Sequence, residues 1–349
     1  MRFTPDHDPR IRSLVITAVI LAAGIGVACV LTSDSAEAWS FGKSAKSADK
    51  SVPAQAKSQS ETASPAPAAP AAPAAPTDAW SQAYSQAQEY AAASKYDQAL
   101  AAAELALSTA EKEYGPEDER AAKSIRAIAQ IQAARGNVFQ AQIFFDRAIE
   151  LYKKTKGLND ADTANTMVQA ASLYLGLQRV PEAEELFRTG YEVLRNLYGR
   201  DDPRITMAMG GLAEVYKASG DTRAIELFQN IIRILSAQKG PADAGIVSSY
   251  YHLADIYEGM KDYDNAAECY FSIIRALEEE HGIHFWQLSS IYNNLGLVYA
   301  RSGHVEEAQK AYRHSLDILI REYGPQHPEV TTVLENLNSV YVQAAGNAS

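Results

Sequence analysis

Apolar positions recur at helical spacing through most of this chain. In FWQLSSIYNNLGLVYARSG, residues 285–303, Leu288, Ile291, Leu295 and Val298 fall on one side of a helix, with small Gly296 beside them. Gly303-His304 interrupts the pattern. VEEAQKAYRHSLDILIREYG, residues 305–324, resumes it with Ala308, Tyr312, Ser315 and Leu319 on the inner side. Small residues on facing sides let two helices approach closely. The pattern predicts an antiparallel helix pair.

That pair is the last of a series. An alanine recurs at Ala99, Ala141, Ala183, Ala224, Ala266 and Ala308, at spacings of 42, 42, 41, 42 and 42. A glycine recurs at Gly115, Gly157, Gly199, Gly240, Gly282 and Gly324 with the same spacings and the same slip. Four residues after each alanine stands Phe145, Phe187, Phe228, Tyr270 or Tyr312; the first unit departs with Ala103. An aromatic stripe at this period is packing, because stacked repeats bury one continuous core. The sequence predicts an all-α solenoid of six helix pairs, approximately 79–117, 118–159, 160–201, 202–242, 243–284 and 285–326. Residues 328–345 predict one more helix, with Leu334, Leu337 and Tyr341 in register with Tyr292, Leu295 and Tyr299. It fits the role of an end cap.

The pattern resembles the tetratricopeptide repeat. Tyr292, Leu295, Gly296, Tyr299, Gly303, Val305, Ala308 and Tyr312 fill its signature in the last unit. Tyr250, Leu253, Ala254, Tyr257, Tyr263, Ala266 and Tyr270 fill it in the fifth. The 42-residue period, the YGP and HP junctions and the NNL in the first helix are similar to kinesin light chains. The resemblance implies a superhelix whose first helices line a concave, peptide-binding groove. Carried over residue by residue, the groove positions are Lys123, Arg126 and Gln130, then Asn165, Gln169 and Ser172, then Glu214 and Lys217. Tyr251, His252 and Asp255 follow, then Asn293 and Asn294, and finally Glu335 and Asn336. Amides among them suit backbone recognition, since each offers a donor and an acceptor. The lysine–asparagine set of a carboxylate clamp is incomplete, which argues against a chaperone-tail receptor.

The N-terminus is organised differently. Arg2, Arg10 and Arg12 precede an uncharged apolar run at 13–31, and Ala36-Glu37-Ala38 follows. This order predicts an export signal cut after Ala38. The alternatives are an uncleaved membrane anchor or a lipoprotein signal acylated at Cys29. All three predict an exported, periplasmic or otherwise extracytoplasmic protein. Residues 39–78 include PAPAAPAAPAAP, which predicts a disordered, semi-rigid linker.

Charge and chemistry narrow the function. The net charge of −11 falls within residues 79–349, so a nucleic-acid-binding face is not expected. The two cysteines, Cys29 and Cys269, form no disulfide framework. No phosphate-cradling loop, catalytic triad or metal motif is visible, so neither an enzyme nor a cofactor is expected. His281 and His284 lack further metal ligands in the nearby sequence. Cys269 reads as a small packing residue. His327, in REYGPQHPEV, falls where four other units place Asp118, Asp160, Asp202 and Asp243, a helix-capping slot. The expected function is a scaffold that binds a protein or peptide in its groove. The alternative is a structural or cell-envelope assembly factor acting by self-association or by contact with wall or membrane.

Overall fold

The computed structural model describes residues 78–347, which form thirteen α-helices and no strand. They fall into two compact units that divide between Leu151 and Tyr152. The first unit contains α1 (Ala79–Ala92), α2 (Tyr96–Glu113), α3 (Glu119–Ala134) and most of α4 (Val138–Thr155). Its core is built largely from alanine: Ala83, Ala87, Ala91, Ala99, Ala102, Ala103 and Ala106 pack with Ile128 and Ile131. Trp80 closes one side of it. Its indole stacks on Tyr84 at 5.1 Å and donates to the Ser124 hydroxyl at 3.0 Å.

The second unit continues with α5 (Ala161–Gly176), α6 (Val180–Tyr198), α7 (Thr206–Ala218), α8 (Arg223–Ser236), α9 (Ala244–Gly259) and α10 (Tyr263–His281). It ends with α11 (Leu288–Ser302), α12 (Val305–Tyr323) and α13 (Pro328–Asn347). From α5 to α13 each helix packs on the next, the solenoid that the repeat pattern implies. The marker aromatics fill hollows left by small residues. A Cβ placed on Gly296 would stand 2.6 Å from the Tyr312 ring, and one on Gly211 2.0 Å from Phe187. α13 closes the stack with Val330, Val333, Leu337 and Val340 against Leu316 and Leu319.

Turn chemistry sets where the helices start and stop. The side chains of Asp118, Asp160 and Asp243 accept amide hydrogens at the starts of α3, α5 and α9, and Asp202 does so for the short 3-10 turn Pro203–Ile205 before α7. His327 fills the same role, its Nδ1 accepting from the Glu329 amide at 3.4 Å. Phe285 cannot, and α11 begins without a side-chain cap. Asp78 caps α1 by accepting from the Ser81 amide at 2.6 Å, a start signal that the period does not reveal. At the far ends, Gly199, Gly282 and Gly324 stand at φ 84–91° with ψ 164–167°. This is the extended mirror region, open in practice to glycine alone, and not the left-handed helical conformation in which many helices end.

Between the two helices of each pair, one residue takes positive φ: Ser94, Gly136, Gln178, Gly220, Lys261 and Gly303. Five residues separate it from the marker alanine in every pair but the fourth, where Gly220 and Ala224 are four apart. The slip in the period thus lies in this turn. α8 starts only one residue before its alanine, and Asp221 accepts from the Arg223 amide at 2.9 Å to close the shortened turn.

Candidate functional site

The polar positions of the first helices differ sharply in what they expose. In the first unit, Lys123 is half-buried and pairs with Glu119 one turn earlier, at 2.8 Å. Arg126 and Gln130 are buried. In α5, Gln169 is buried, Asn165 is half-buried, and exposed Ser172 donates to the Val168 carbonyl at 3.1 Å. Buried Arg126, Gln130 and Gln169 offer almost no surface to a ligand, which corrects their expected place in an open groove. Arg126 is 6 % exposed and Gln130 and Gln169 are each 7 % exposed, so packing around the helix, and not register along it, sets what they present.

From α7 onward the polar residues meet one another across successive first helices. Lys217 on α7 donates to Asp255 on α9 at 2.7 Å and lies 3.3 Å from Nδ1 of His252. A lysine ammonium only donates, so Nδ1 accepts and the imidazole proton resides on Nε2, which faces Glu214 at 3.7 Å. Burial, assisted by the Lys217 charge, lowers the His252 pKa from its ordinary 6.5 to about 4. The ring is held flat against Phe228, 4.8 Å between centroids. Glu214 is shifted upward by burial, with Lys217 opposing. Yet 47 % of its side chain meets solvent, so it stands in a recess rather than an enclosed pocket.

The next links continue the same face. Burial pushes the Tyr251 hydroxyl up to about 12, with Ser290 on α11 opposing, and the ring meets Tyr270 edge-on at 6.0 Å. The Asn336 side-chain amide on α13 donates to Oδ1 of Asn293 on α11 at 3.0 Å. Asn294 and Asn336 are half-buried, and Glu335 is exposed. Each amide retains hydrogen-bonding capacity beyond this one bond. Glu258 on α9 lies outside the positions that the resemblance implies. It pairs with Arg301 on α11 and accepts from the Tyr270 hydroxyl at 3.2 Å. A signal for it exists, since Glu258 and Arg301 are 43 residues apart, close to one repeat, as are Asn293 and Asn336.

Other candidate chemistry resolves into packing. Cys269 is buried at the edge of a cavity of 210 Å³ lined also by Gln229, Tyr250, Tyr257 and Asn265. Burial pushes its thiol up to about 11, away from the thiolate that a nucleophile requires. His281 lies 4.2 Å from the Phe285 ring. Among the described residues no group of three or more histidine, cysteine or acidic side chains is placed to hold a metal ion.

Comparison with known proteins places these features. A Clustered mitochondria protein homolog of Coccidioides immitis is 26 % identical over 148 residues, covering 42 % of this chain and 12 % of that protein. The Candida albicans homolog is 21 % identical over 186 residues, covering 53 % and 14 %. The chain thus spans only a small part of these curated relatives. They are fungal proteins named for mitochondria, which conflicts with the expected export to a periplasmic space, and that expectation is corrected. A basic start and an apolar run encode affinity for an apolar phase, and they do not by themselves specify a compartment. No helix among the described residues is long and apolar enough to cross a membrane. The apolar run at 13–31, the cleavage pattern at Ala38 and the proline-rich stretch lie outside those residues.

Solved structures give the fold. BtubC (BKLC) from P. vanneervenii is similar at a TM-score of 0.56 and 19 % identity, over 67 % of this chain and 94 % of that one. A signal transduction ATPase with a tetratricopeptide repeat sensor, from Pyrococcus horikoshii, is similar at a TM-score of 0.60 and 14 % identity, over 76 % and 39 %. The sequence profile of the tetratricopeptide repeat matches residues 162–224, 208–279 and 287–348, just over half of the chain. With the helix pairs, the small-residue hollows and the period in agreement, the chain belongs to the tetratricopeptide repeat family.

Proposed function

We propose that this chain is a protein-binding scaffold that holds an extended peptide from a partner against the first helices of residues 160–345. The observation that supports it most is the polar ladder from Lys217 and Glu214 through Tyr251, His252 and Asp255 to Asn293 and Asn336. These side chains are fixed by one another or by packing, so a ligand does not have to order them. They combine a recessed carboxylate, a neutral imidazole and amides with capacity to spare, which suits a polypeptide backbone and neutral or basic side chains. Asn294 and Glu335 lie beside the ladder. Lys123, Asn165 and Ser172 are peripheral to this reading, and no catalytic step is part of it.

The test is site-specific photo-crosslinking in the source cells. A crosslinker replaces Asn294 on the ladder or Lys310 on α12. Recovered partner peptides are expected at position 294 and not at 310, and Asn293→Ala with Asn336→Ala is expected to reduce capture about tenfold, the effect of losing ~1.4 kcal/mol. Equal capture at both positions, or capture unaffected by the two alanines, would defeat the proposal.

A further inference from the structure

The turn between α10 and α11 breaks the pattern of every other junction. Where the other units carry Pro116, Leu158, Arg200, Pro241 and Pro325, this one carries Ile283, which is 62 % exposed; Leu158, 47 % exposed, is the other large apolar side chain in this slot, but no aromatic residue accompanies it. Where the others carry Glu119, Ala161, Pro203, Ala244 and Pro328 at the start of a first helix, it carries Trp286, 48 % exposed. Between them Phe285 occupies the capping slot and packs between His281 and Trp286, at 4.2 and 6.0 Å between ring centroids. The turn thus gives up a helix cap and places two large apolar side chains in water. Local rules broken together without a folding benefit mark a functional position. Exposed tryptophan beside an aliphatic side chain is the composition of an interface anchor.

The surroundings specify the occupant. Glu278, Glu279 and Glu280 end α10 immediately before the turn, and no lysine or arginine occurs from Ala276 to Ala300. Glu278 is engaged by the Tyr292 hydroxyl at 2.8 Å, while Glu279 and Glu280 are exposed. We propose that this turn is a second docking surface, separate from the polar ladder, for a basic segment of a partner protein that lays an apolar side chain against Ile283 and Trp286. The acidic rim steers and orients that segment. It also repels an anionic lipid surface, the other place where an exposed tryptophan would reside.

The experiment uses the full chain and a fluorescently labelled 16-residue amphipathic peptide of lysine and leucine, with a glutamate–leucine counterpart and phosphatidylserine-containing vesicles as comparisons. Anisotropy is expected to show binding of the basic peptide that weakens with salt. Affinity should fall about tenfold in Ile283→Ser/Trp286→Ala and several-fold in Glu279→Gln/Glu280→Gln. Trp286→Phe should retain most of it, and Asn293→Ala/Asn336→Ala should leave it unchanged. All variants alter exposed or half-buried side chains, and circular dichroism verifies equal helix content. Equal affinity of the Ile283/Trp286 variant, a preference for the acidic peptide, loss confined to the asparagine variant, or binding of vesicles in place of the basic peptide would each overturn the proposal.

Discussion

The first helix pair and the last bring their helices together by opposite means. In α1–α2, Ala87 and Ala103 occupy facing positions and small side chains stand on both sides. In α11–α12 the same two slots hold Gly296 and Tyr312, and the ring fills the hollow that glycine leaves. Both arrangements bury their contact completely, but not equal amounts of surface. An aromatic side chain removes roughly 150–250 Å² from water, several times what an alanine methyl removes. The first pair therefore leans on Trp80, which reaches Ser124 on α3 to add the area that its own helices lack. A shared fold thus conceals unequal anchoring: the last pair is held by an aromatic contact between its own two helices, and the first adds an indole that reaches α3.

Substitutions at matched positions probe that inequality. Tyr312→Ala should cost about 3–5 kcal/mol in urea unfolding, the usual penalty for emptying a buried aromatic site. Ala103→Gly, at the equivalent slot, should cost about 1 kcal/mol, mostly from backbone freedom. Equal losses would break the comparison. Gly296→Ala should cost about 1–3 kcal/mol by overpacking, because the new methyl meets the Tyr312 ring at 2.6 Å. Tyr312→Phe should leave that penalty in place, since the clash involves ring carbons. The smallest effect is expected at the start of the first pair. Asp78→Ala should cost about 1 kcal/mol or less and should appear mainly as faster amide exchange in the first turn of α1.

The architecture is legible in the sequence because it is periodic. Ala99 to Ala308 and Gly115 to Gly324 mark off the pairs by spacing alone, and aspartates ahead of the first helices mark most of their starts. The geometry at Gly199, Gly282 and Gly324 is not legible, because left-handed and mirror-extended backbones both select glycine. Asp78 gives no periodic signal, because the first unit lacks a preceding junction to compare it with. The site is less legible than the fold. Register assigns a residue to a helix face, but exposure depends on what packs against that face. Hence Arg126, Gln130 and Gln169 are buried where Glu214 and Asp255 are not. The links that hold the ladder together, such as Phe228 behind His252, join residues of different units and are invisible to a reading of one helix at a time. The compartment is not legible either, because composition reports on affinity for a phase, not on destination.

Three of the six tight turns place an L-residue, Ser94, Gln178 or Lys261, in a backbone region that glycine occupies in the other three. The conformational cost of the side chain there, about 1–2 kcal/mol, is largely matched by the freedom that glycine would regain on unfolding, about 1 kcal/mol. The net preference for glycine at these points is consequently small, and Ser94, Gln178 and Lys261 are all exposed. They are natural attachment points. A dye, an affinity handle or a surface linkage introduced at Ser94, Gln178 or the Lys261 amine would leave the helix cores undisturbed.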